Sequence, residues 1–485
     1  MSLSRNATYN LVGSAIPVAL AFLTVPLYLK AIGTERYGVL GIAWLFLGYF
    51  GLFDLGLGRA TQFRIAALRN ATPQARADTF WTALILNLGL GFVGGSILWA
   101  GSSYFFGHIF KTTPAMRQEI LGSLPLLAAA VPVATVTGVL TGALQAREKF
   151  LETNIISVTS TSLFQIVPLS VAWLIGPDLT LLLAGAISSR VLAMVALSVR
   201  CHAGLGRGQE RRFVRSEIPR LLSYGGWVTL TSLVAPLLTM VDRFSIGAVL
   251  SGAAVGVYSV PFQLAKQIAI VPAALTSASF PRQSGATAAE RDEICGQTTR
   301  ILAGLVTPPV MAGMFLLGAF LHLWVGAAVG AQAAPVGRVL LIAFWINAFT
   351  LVPFTRLQAS GRPDMITKII LIEIPPYLLC LFPALHYFGL IGAAGVLALR
   401  IIADYLLLSW AADRSYSGFR LLAANLALLV AAAFASSMWS IADPLWWISA
   451  GALLSANLGL CWNGLPPTVR AELLSRVRRR ALKIA

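Results

Sequence analysis

The chain has little charge for its length. Of its 485 residues only 11% are Asp, Glu, Lys or Arg, while 57% are hydrophobic and the mean hydropathy is +0.78. Soluble domains carry about 25% charged residues, which they need to cover their surface. The shortage excludes a water-soluble body of this size and predicts an integral membrane protein.

Cysteine and histidine are scarce as well. There are four of each, and neither a CxxC nor an HExxH spacing occurs. A disulfide framework, a metal centre and a catalytic constellation are therefore not expected, and no cofactor is predicted beyond a possible coupling ion, H⁺ or Na⁺. The first apolar stretch contains Pro17 and Pro26 and is too long for a cleavable signal peptide, so we interpret it as a retained span.

Long apolar runs are abundant. A spanning helix needs about 20 mostly apolar residues, and a bilayer accepts only helices or closed barrels. The runs predict an all-α integral membrane protein with about fourteen transmembrane helices. They lie near residues 8–30, 37–57, 80–106, 120–145, 153–176, 179–200, 221–249, 254–280, 299–325, 336–358, 366–388, 390–411, 420–441 and 444–464.

The basic residues indicate the orientation of these spans. With a cytoplasmic N-terminus, 27 of the 36 lysines and arginines fall in inner connections or the tail. Four fall in outer connections and five inside spans. The positive-inside rule therefore predicts that both termini are cytoplasmic. The net charge of +17 is then a signal of topology and of contact with membrane lipids, and no nucleic-acid partner is expected.

Two halves of the chain resemble each other. Each begins with a proline early in a span (Pro17, Pro236), followed by a turn into Tyr37-Gly38-Val39 or Val255-Gly256-Val257. Such parallel repeats are typical of transporters. The predicted organisation is an N-terminal six-helix lobe, a basic cytoplasmic linker, a second six-helix lobe, two additional helices and a basic tail: 1–200, 201–220, 221–412, 413–464 and 465–485.

Cations inside spans are the clearest functional signal. A charge at the bilayer centre costs about 2.5–3.5 kcal/mol on insertion scales, so it usually faces a polar interior. The predicted substrate-binding cations are Arg190, Arg243, Lys266 and Arg400. Arg190 and Lys266 have no acidic residue within a helical turn, which favours an anionic ligand. Structural pairing with the neighbouring aspartate is an open alternative for the other two.

Acidic and polar residues complete the predicted site. Four acids could couple an ion or act as charge partners: Asp54, Asp242, Glu373 and Asp404. Polar stripes at helical spacing favour a hydrophilic cavity, although small polar residues also hold helices together. The predicted cavity-lining residues are Asn10, Asn154, Gln165, Thr239 and Gln263.

Several local segments resemble the oligosaccharide flippases (Wzx type) of the multidrug/oligosaccharidyl-lipid/polysaccharide superfamily. They are VPLYLKAIGTERYGV at 25–39, GYFGLFDLGLGRAT at 48–61, MVDRFSIG at 240–247 and VGVYSVPFQLAKQ at 255–267. The resemblance implies two six-helix lobes in a V around a central cavity, with two extra C-terminal helices here. It also implies that Asp242 and Arg243 carry the family's Asp-Arg pair, and that Asp54 carries the acid ending the second span.

The implied function is transport in the bacterial inner membrane. The resemblance implies that an undecaprenyl-diphosphate-linked repeat unit moves from the cytoplasmic to the periplasmic leaflet by ion-coupled alternating access. The product would feed O-antigen, capsule or exopolysaccharide synthesis, beside glycosyltransferases and a polymerase. Other functions stay open: a drug or cation antiporter, a peptidoglycan-precursor flippase, and a membrane-embedded glycosyltransferase or polymerase. The short outer connections disfavour the enzymes.

Overall fold

A computed structural model describes residues 3–49, 57–68, 71–147, 149–206, 208–219, 221, 240–284, 286–412, 419–465 and 470. Every regular element within these ranges is helical. The α-helices, numbered along the chain, are α1 Leu3–Tyr49, α2 Leu57–Ala67, α3 Pro73–Tyr104, α4 Pro114–Gln145, α5 Phe150–Leu174, α6 Leu179–Cys201, α7 240–249, α8 Gly252–Lys266, α9 Ile270–Ser284, α10 Ala288–Val325, α11 Ala327–Ala359, α12 Pro363–Ala411, α13 Phe419–Met438 and α14 Pro444–Gly464.

Local sequence explains where several helices begin. α3 and α4 each start with a Thr-Pro pair, and the hydroxyls of Thr72 and Thr113 accept hydrogen bonds from backbone N–H groups in the first turn. Proline suits the first helical position because its missing N–H has no helical partner there. Thr287 and Glu290 form a reciprocal capping box at the start of α10. These caps satisfy donors that hydrocarbon cannot satisfy.

The predicted spans agree with the helices. Ten helices in the described part of the chain are long and apolar enough to cross a membrane. Two very long helices each contain two predicted spans, because α1 breaks at Gly33 (φ 76°) and α12 breaks at Gly389 (φ 57°). α12 folds back on itself, since the Arg362 guanidinium donates to the carbonyl of Ala411, 3.4 Å away. The fold class of about fourteen transmembrane helices is confirmed.

One local prediction is wrong. Residues 57–67, assigned to a connection, form the short helix α2, which packs against α4 with Gly142 almost in contact with the Gly58 carbonyl. Its mixed composition includes no long apolar run, so the hydrophobicity pattern did not indicate a helix here. The single span predicted at 254–280 agrees with the apolar segment Gly252–Thr276, which a 3₁₀ turn at Gln267–Ala269 divides into α8 and α9. Such a turn inside a span is a common place for a hinge.

The described chain forms two compact units, Met1–Gly256 and Val257–Ala485. In the first, α2, α3, α4 and α6 share an apolar core that includes Leu57, Phe80 and Leu140. In the second, α10, α11 and α12 pack in sequence, and α13 and α14 lie against α10. Large apolar side chains such as Leu174 and Leu323 are more than 80% exposed, as lipid-facing residues are. The lobe boundaries at 200, 221 and 412 stay predictions.

The segments that suggested a repeat contact each other within the first unit. A Cβ on Gly38 of α1 would overlap the carbonyl of Gly252 and the backbone nitrogen of Gly256 in α8. A Cβ on Gly256 would in turn overlap the carbonyl of Thr34. Glycines spaced by four residues allow helices to approach this closely in a membrane. Gly38 and Gly256 hold equivalent places in the two similar segments, so the contact is reciprocal.

The basic connection after α6 is held against the first unit. Arg64 of α2 donates two hydrogen bonds to Glu217, at 3.0 and 3.1 Å, and the Thr79 hydroxyl donates a third at 3.1 Å. The backbone N–H of Val214 donates to the Thr82 hydroxyl at 2.9 Å. Arg211 lies over the ring of Trp81, 4.9 Å from its centroid. Residues 208–219 are therefore docked on α2 and α3.

A buried polar network joins the last two helices to the second unit. The Asn457 amide of α14 donates to the Asn425 oxygen of α13 at 2.7 Å, and both side chains are fully buried. Cys461 donates to the carbonyl of Ala303 in α10. Polar contacts of this kind hold helices together where apolar surface alone gives no preference over lipid. α13 and α14 are thus part of the packed second unit.

We expect Glu217→Gln to loosen the docked connection. The change removes the negative charge that Arg64 contacts, and hydrogen bonds to charged groups are worth about 1.5–3 kcal/mol. Trypsin added to membranes that expose this connection should cut after Arg211, Arg212 and Arg215 about tenfold faster. Glu210→Gln is the matched control, because the Glu210 side chain contacts exposed Arg212 and no other side chain of the described residues. Equal cleavage in wild type and Glu217→Gln would contradict the docking role.

We expect Asn457→Ala to destabilise the second unit. It removes the amide donor of the buried Asn425 oxygen and leaves only the weaker Cys461 thiol, 3.7 Å away, which costs about 1–3 kcal/mol. Thermal unfolding of the detergent-purified protein should show a lower midpoint. Ser455→Ala on the exposed side of the same helix is the control and should leave the midpoint unchanged.

Candidate functional site

An aromatic cluster lies inside the first unit. Tyr28, Tyr37 and Trp44 of α1 and Phe164 of α5 contact one another with ring centroids 5.1 to 6.5 Å apart. The Tyr28 hydroxyl donates to the backbone carbonyl of Gln165 at 2.7 Å, which fixes α1 to α5. The indole Nε1 of Trp44 is buried and donates no hydrogen bond within the described residues. A buried indole N–H usually has an acceptor, and the described residues do not supply one here.

Arg190 extends this cluster from α6. Its guanidinium carbon lies 4.6 Å from the centroid of the Phe164 ring. The residue is half-buried, and among the described residues no carboxylate pairs with it. A cation over an aromatic face keeps its N–H groups available at the edge of the guanidinium. Arg190 thus has no acidic partner in the part of the chain that the structure describes, and its role in binding substrate stays a prediction.

Asp242 and Arg243 lie in α7, also in the first unit, and both are almost fully buried. The Arg243 Nη1 atom is 3.5 Å from the Asp242 carboxylate, which also accepts the backbone N–H of Arg243 at 2.8 Å. Arg243 also acts electrostatically on the hydroxyl of Tyr37. The aromatic cluster thus has a cation near each end, and the one in α7 carries its own counter-charge.

Lys266 belongs to the second unit, at the last turn of α8. Its side chain is exposed, and so is that of Gln263 on the same helix face. No carboxylate lies within salt-bridge distance of Lys266 among the described residues. The 3₁₀ turn begins at the next residue. Lys266 is therefore an unpaired cation at the break between α8 and α9.

Arg400, in contrast, is held by acids inside the α12 hairpin. Its Nε atom is 3.6 Å from Glu373, and Asp404 acts on both side chains. The guanidinium also lies 5.4 Å from the ring centroid of Tyr377. This arrangement neutralises Arg400 without a ligand. Its role in binding substrate stays a prediction, and the structure favours the pairing alternative.

The remaining predicted residues are spread along the chain. Asn154 and Gln165 are half-buried on α5 in the first unit. Asp54, Thr239 and the side chain of Asn10 lie outside the described residues. No group of three His, Cys, Asp or Glu side chains is placed to hold a metal ion in the ranges that the structure describes.

Two parts of this arrangement, the aromatic cluster and the contact between Glu373 and Arg400, were not predicted from the sequence. The aromatic residues Tyr28, Trp44 and Phe164 were not singled out, since aromatic side chains in spans are common and carry no spacing signal. Glu373 was noted as a buried acid, but its contact with Arg400 requires the turn at Gly389, which no local pattern specifies. Tyr28 lies in the segment 25–39 that carried the family resemblance, which was the available signal.

The fold is that of a known class of membrane transporter. The structure titled "Lipid II flippase MurJ, inward closed conformation" superimposes with a TM-score of 0.72 at 12% identity, covering 94% of this chain and 99% of that one. An inward-facing multidrug resistance MATE family transporter of the MOP superfamily gives a TM-score of 0.66 at 16% identity, covering 86% and 98%. At these identities the likeness shows the fold alone.

Sequence comparison then identifies the family. Residues 3–286 match the family described as polysaccharide biosynthesis protein, which is more than half of the chain, so the chain belongs to that family. A "Putative O-antigen transporter" of Shigella flexneri is 28% identical over 418 residues, which is 86% of this chain and 99% of that protein. The predicted resemblance is confirmed, and so is the prediction of a membrane transporter instead of an enzyme.

We expect the contact between Arg190 and Phe164 to be energetically coupled. A cation over a ring is worth about 0.5–1 kcal/mol when exposed and about 2 when desolvated. A double-mutant cycle with Arg190→Ala and Phe164→Ala, measured by unfolding in detergent, should return a coupling energy in that range. Ile166→Ala is the control partner, because Ile166 lies on the exposed side of α5. Additive effects for the first pair would refute the contact.

Proposed function

We propose that the protein is a flippase for a lipid-diphosphate-linked oligosaccharide. It moves the repeat unit from the cytoplasmic to the periplasmic leaflet of the bacterial inner membrane, with both termini in the cytoplasm. The family match and the similarity to an O-antigen transporter support this class of cargo. The observation that carries the proposal is Arg190, a half-buried arginine without a carboxylate partner among the described residues, in a family that handles polysaccharide precursors.

The chemistry of the cargo explains the need for such a cation. A diphosphate and its sugars cannot cross hydrocarbon without a polar path. Arginine binds phosphate oxygens with two parallel N–H groups, while lysine acts as a compact point charge. We assign Arg190 to the diphosphate, with the buried Trp44 N–H as an additional donor. Lys266, exposed at the end of α8, is a second contact for the anion.

Arg243 and Arg400 have a different role in this proposal. Both contact carboxylates in the structure, so binding an anion there would require a change of partner. We assign them to holding their helices and to balancing buried charge. The substrate cations are thus reduced from four to two, Arg190 and Lys266.

The alternative transport functions require different charged residues along the transport path. An exporter of cationic drugs needs acids that are free to bind a cation in its path, whereas Glu373 and Asp404 share Arg400. Arg190 and Lys266, in contrast, have no carboxylate partner within the described residues. A peptidoglycan-precursor flippase shares the lipid diphosphate, and the likeness to MurJ in fold is compatible with that cargo. The family match favours a polysaccharide repeat unit. These functions are distinguished by which saccharide is transported and by which ion drives transport.

Transport by purified protein in proteoliposomes tests the proposal. We expect translocation of a fluorescent polyprenyl-diphosphate oligosaccharide by wild type, and about a 10- to 100-fold loss of transport efficiency in Arg190→Ala. That loss corresponds to a charged hydrogen bond worth about 1.5–3 kcal/mol. Lys266→Ala should lose less, because its side chain is more exposed, and Arg190→Lys should recover only part of the activity.

The matched control lies on α6, the helix that also carries Arg190. Arg200→Ala, at the exposed end of α6 with Glu152 3.9 Å away, should transport like wild type. Full activity of Arg190→Ala with normal membrane insertion would remove the assigned role. Transport by wild type of a lipid-linked peptidoglycan precursor, and not of the oligosaccharide, would replace the proposed cargo.

A further inference from the structure

Two acidic side chains share one arginine inside the α12 hairpin. Glu373 lies before the turn at Gly389 and is 3% exposed, while Arg400 and half-buried Asp404 lie after it. The Arg400 Nε atom is 3.6 Å from Glu373, and Asp404 interacts with both. If both acids are ionised, the cluster carries one negative charge in excess.

The described helices around this cluster supply no second cation in the second unit. α11 packs along α12, and its charged residues are Arg338 and Arg356. Arg338 donates to the carbonyl of Ser436 at 2.7 Å, and Arg356 pairs with Asp292. On α12 itself, Lys368 pairs with Asp364 at 2.9 Å. The neighbouring phenol is that of Tyr377, whose ring faces Arg400.

His386 and Tyr387, near the turn of the hairpin, are exposed, and Tyr405 is buried on the second half of α12. None of these three is among the groups that act on Glu373 or Asp404. The excess charge of the cluster therefore has no protein counter-ion in the described part of the second unit.

The carboxyl group of Glu373 is also without hydrogen-bond donors. Both of its oxygens are buried, and neither accepts a hydrogen bond from the described residues. An ionised buried carboxylate in this state is costly, because neither water nor protein dipoles stabilise its charge. A single proton between the two acids removes both problems. Protonated Glu373 is neutral and donates to Asp404, whose negative charge is balanced by Arg400.

We propose that Glu373 and Asp404 form a proton-binding site that holds one proton between them, with Arg400 as the fixed counter-ion. Release of the proton to water changes the cluster from neutral to a net charge of −1. A sodium ion is disfavoured at this place, because the guanidinium is 3.6 Å from the same carboxylate and repels a metal cation. A neutral, closed cluster and a charged one that needs water form a two-state element.

This site is the candidate for the coupling ion of the transporter, and in that respect it rests on the proposed function. The hairpin halves contact each other through the protonated cluster, and deprotonation favours their separation or the entry of water. Each proton taken up from one side and released to the other would then bias the second unit between two arrangements. Proton binding itself does not depend on the identity of the cargo.

Infrared difference spectroscopy of the full-length protein in lipid tests proton binding. A pH titration should show the carbonyl stretch of a protonated carboxylic acid in wild type at neutral pH, and its loss at alkaline pH. Glu373→Gln should remove this band, and it should fold because glutamine resembles the neutral acid. Asp404→Asn is the second variant and should also remove the band, because Glu373 alone is then balanced by Arg400 and stays ionised. Asp364→Asn, an exposed acid on the same helix, is the control that keeps it.

Loss of the band in both cluster variants, with its retention in the control, supports a shared proton. A wild-type protein without such a band at neutral pH overturns the proposal, and so does a band that persists in either Glu373→Gln or Asp404→Asn.

A second measurement tests coupling to transport. In proteoliposomes with an imposed pH gradient, wild-type transport of the lipid-linked oligosaccharide should change with the direction of the gradient. Glu373→Gln should transport at the same rate in both directions of the gradient. A gradient response retained in Glu373→Gln overturns the coupling role. Absence of oligosaccharide transport in wild type would refute the proposed function and leave the infrared result to decide proton binding.

Discussion

A bilayer offers neither hydrogen bonds nor solvation to a buried charge, and this constraint shapes the structure. The cations within the spans satisfy it in different ways. Arg243 uses the adjacent Asp242, Arg400 uses Glu373, and Arg338 donates to the carbonyl of Ser436. Arg190 rests on the ring of Phe164, which stabilises a cation without neutralising it. The manner of stabilisation therefore separates structural charges from those available to a ligand.

The spans could be predicted because hydrophobicity and length determine them almost alone. The breaks at Gly33 and Gly389 were anticipated as turns between spans, since a 47-residue helix such as α1 exceeds a bilayer. Helix α2 could not be found in this way, because it has only 11 residues and a mixed composition. The docked connection was also hidden, since the pairing of Arg64 with Glu217 joins residues far apart in the sequence.

The candidate site was predictable in its charges and not in its partners. Helical spacing correctly suggested that Arg400 and Asp404 interact, because residues four apart share a face. It could not show Glu373, which reaches Arg400 only because the chain reverses at Gly389. The spacing of charged residues along the sequence also gave no partner that would stabilise the charge of Arg190 inside the membrane. That partner is Phe164 on the neighbouring helix, a contact set by how α5 packs on α6.

The two units thus treat buried charge differently, and this difference has a physical reason. Arg190 in the first unit contacts no acid among the described residues, so an incoming anion gains its full attraction without first displacing a carboxylate. In the α12 hairpin of the second unit the excess lies with the acids, because Glu373 and Asp404 share a single arginine. Such a cluster attracts a proton and repels an anionic headgroup. Separate places for cargo and proton let both bind at once, which coupling requires.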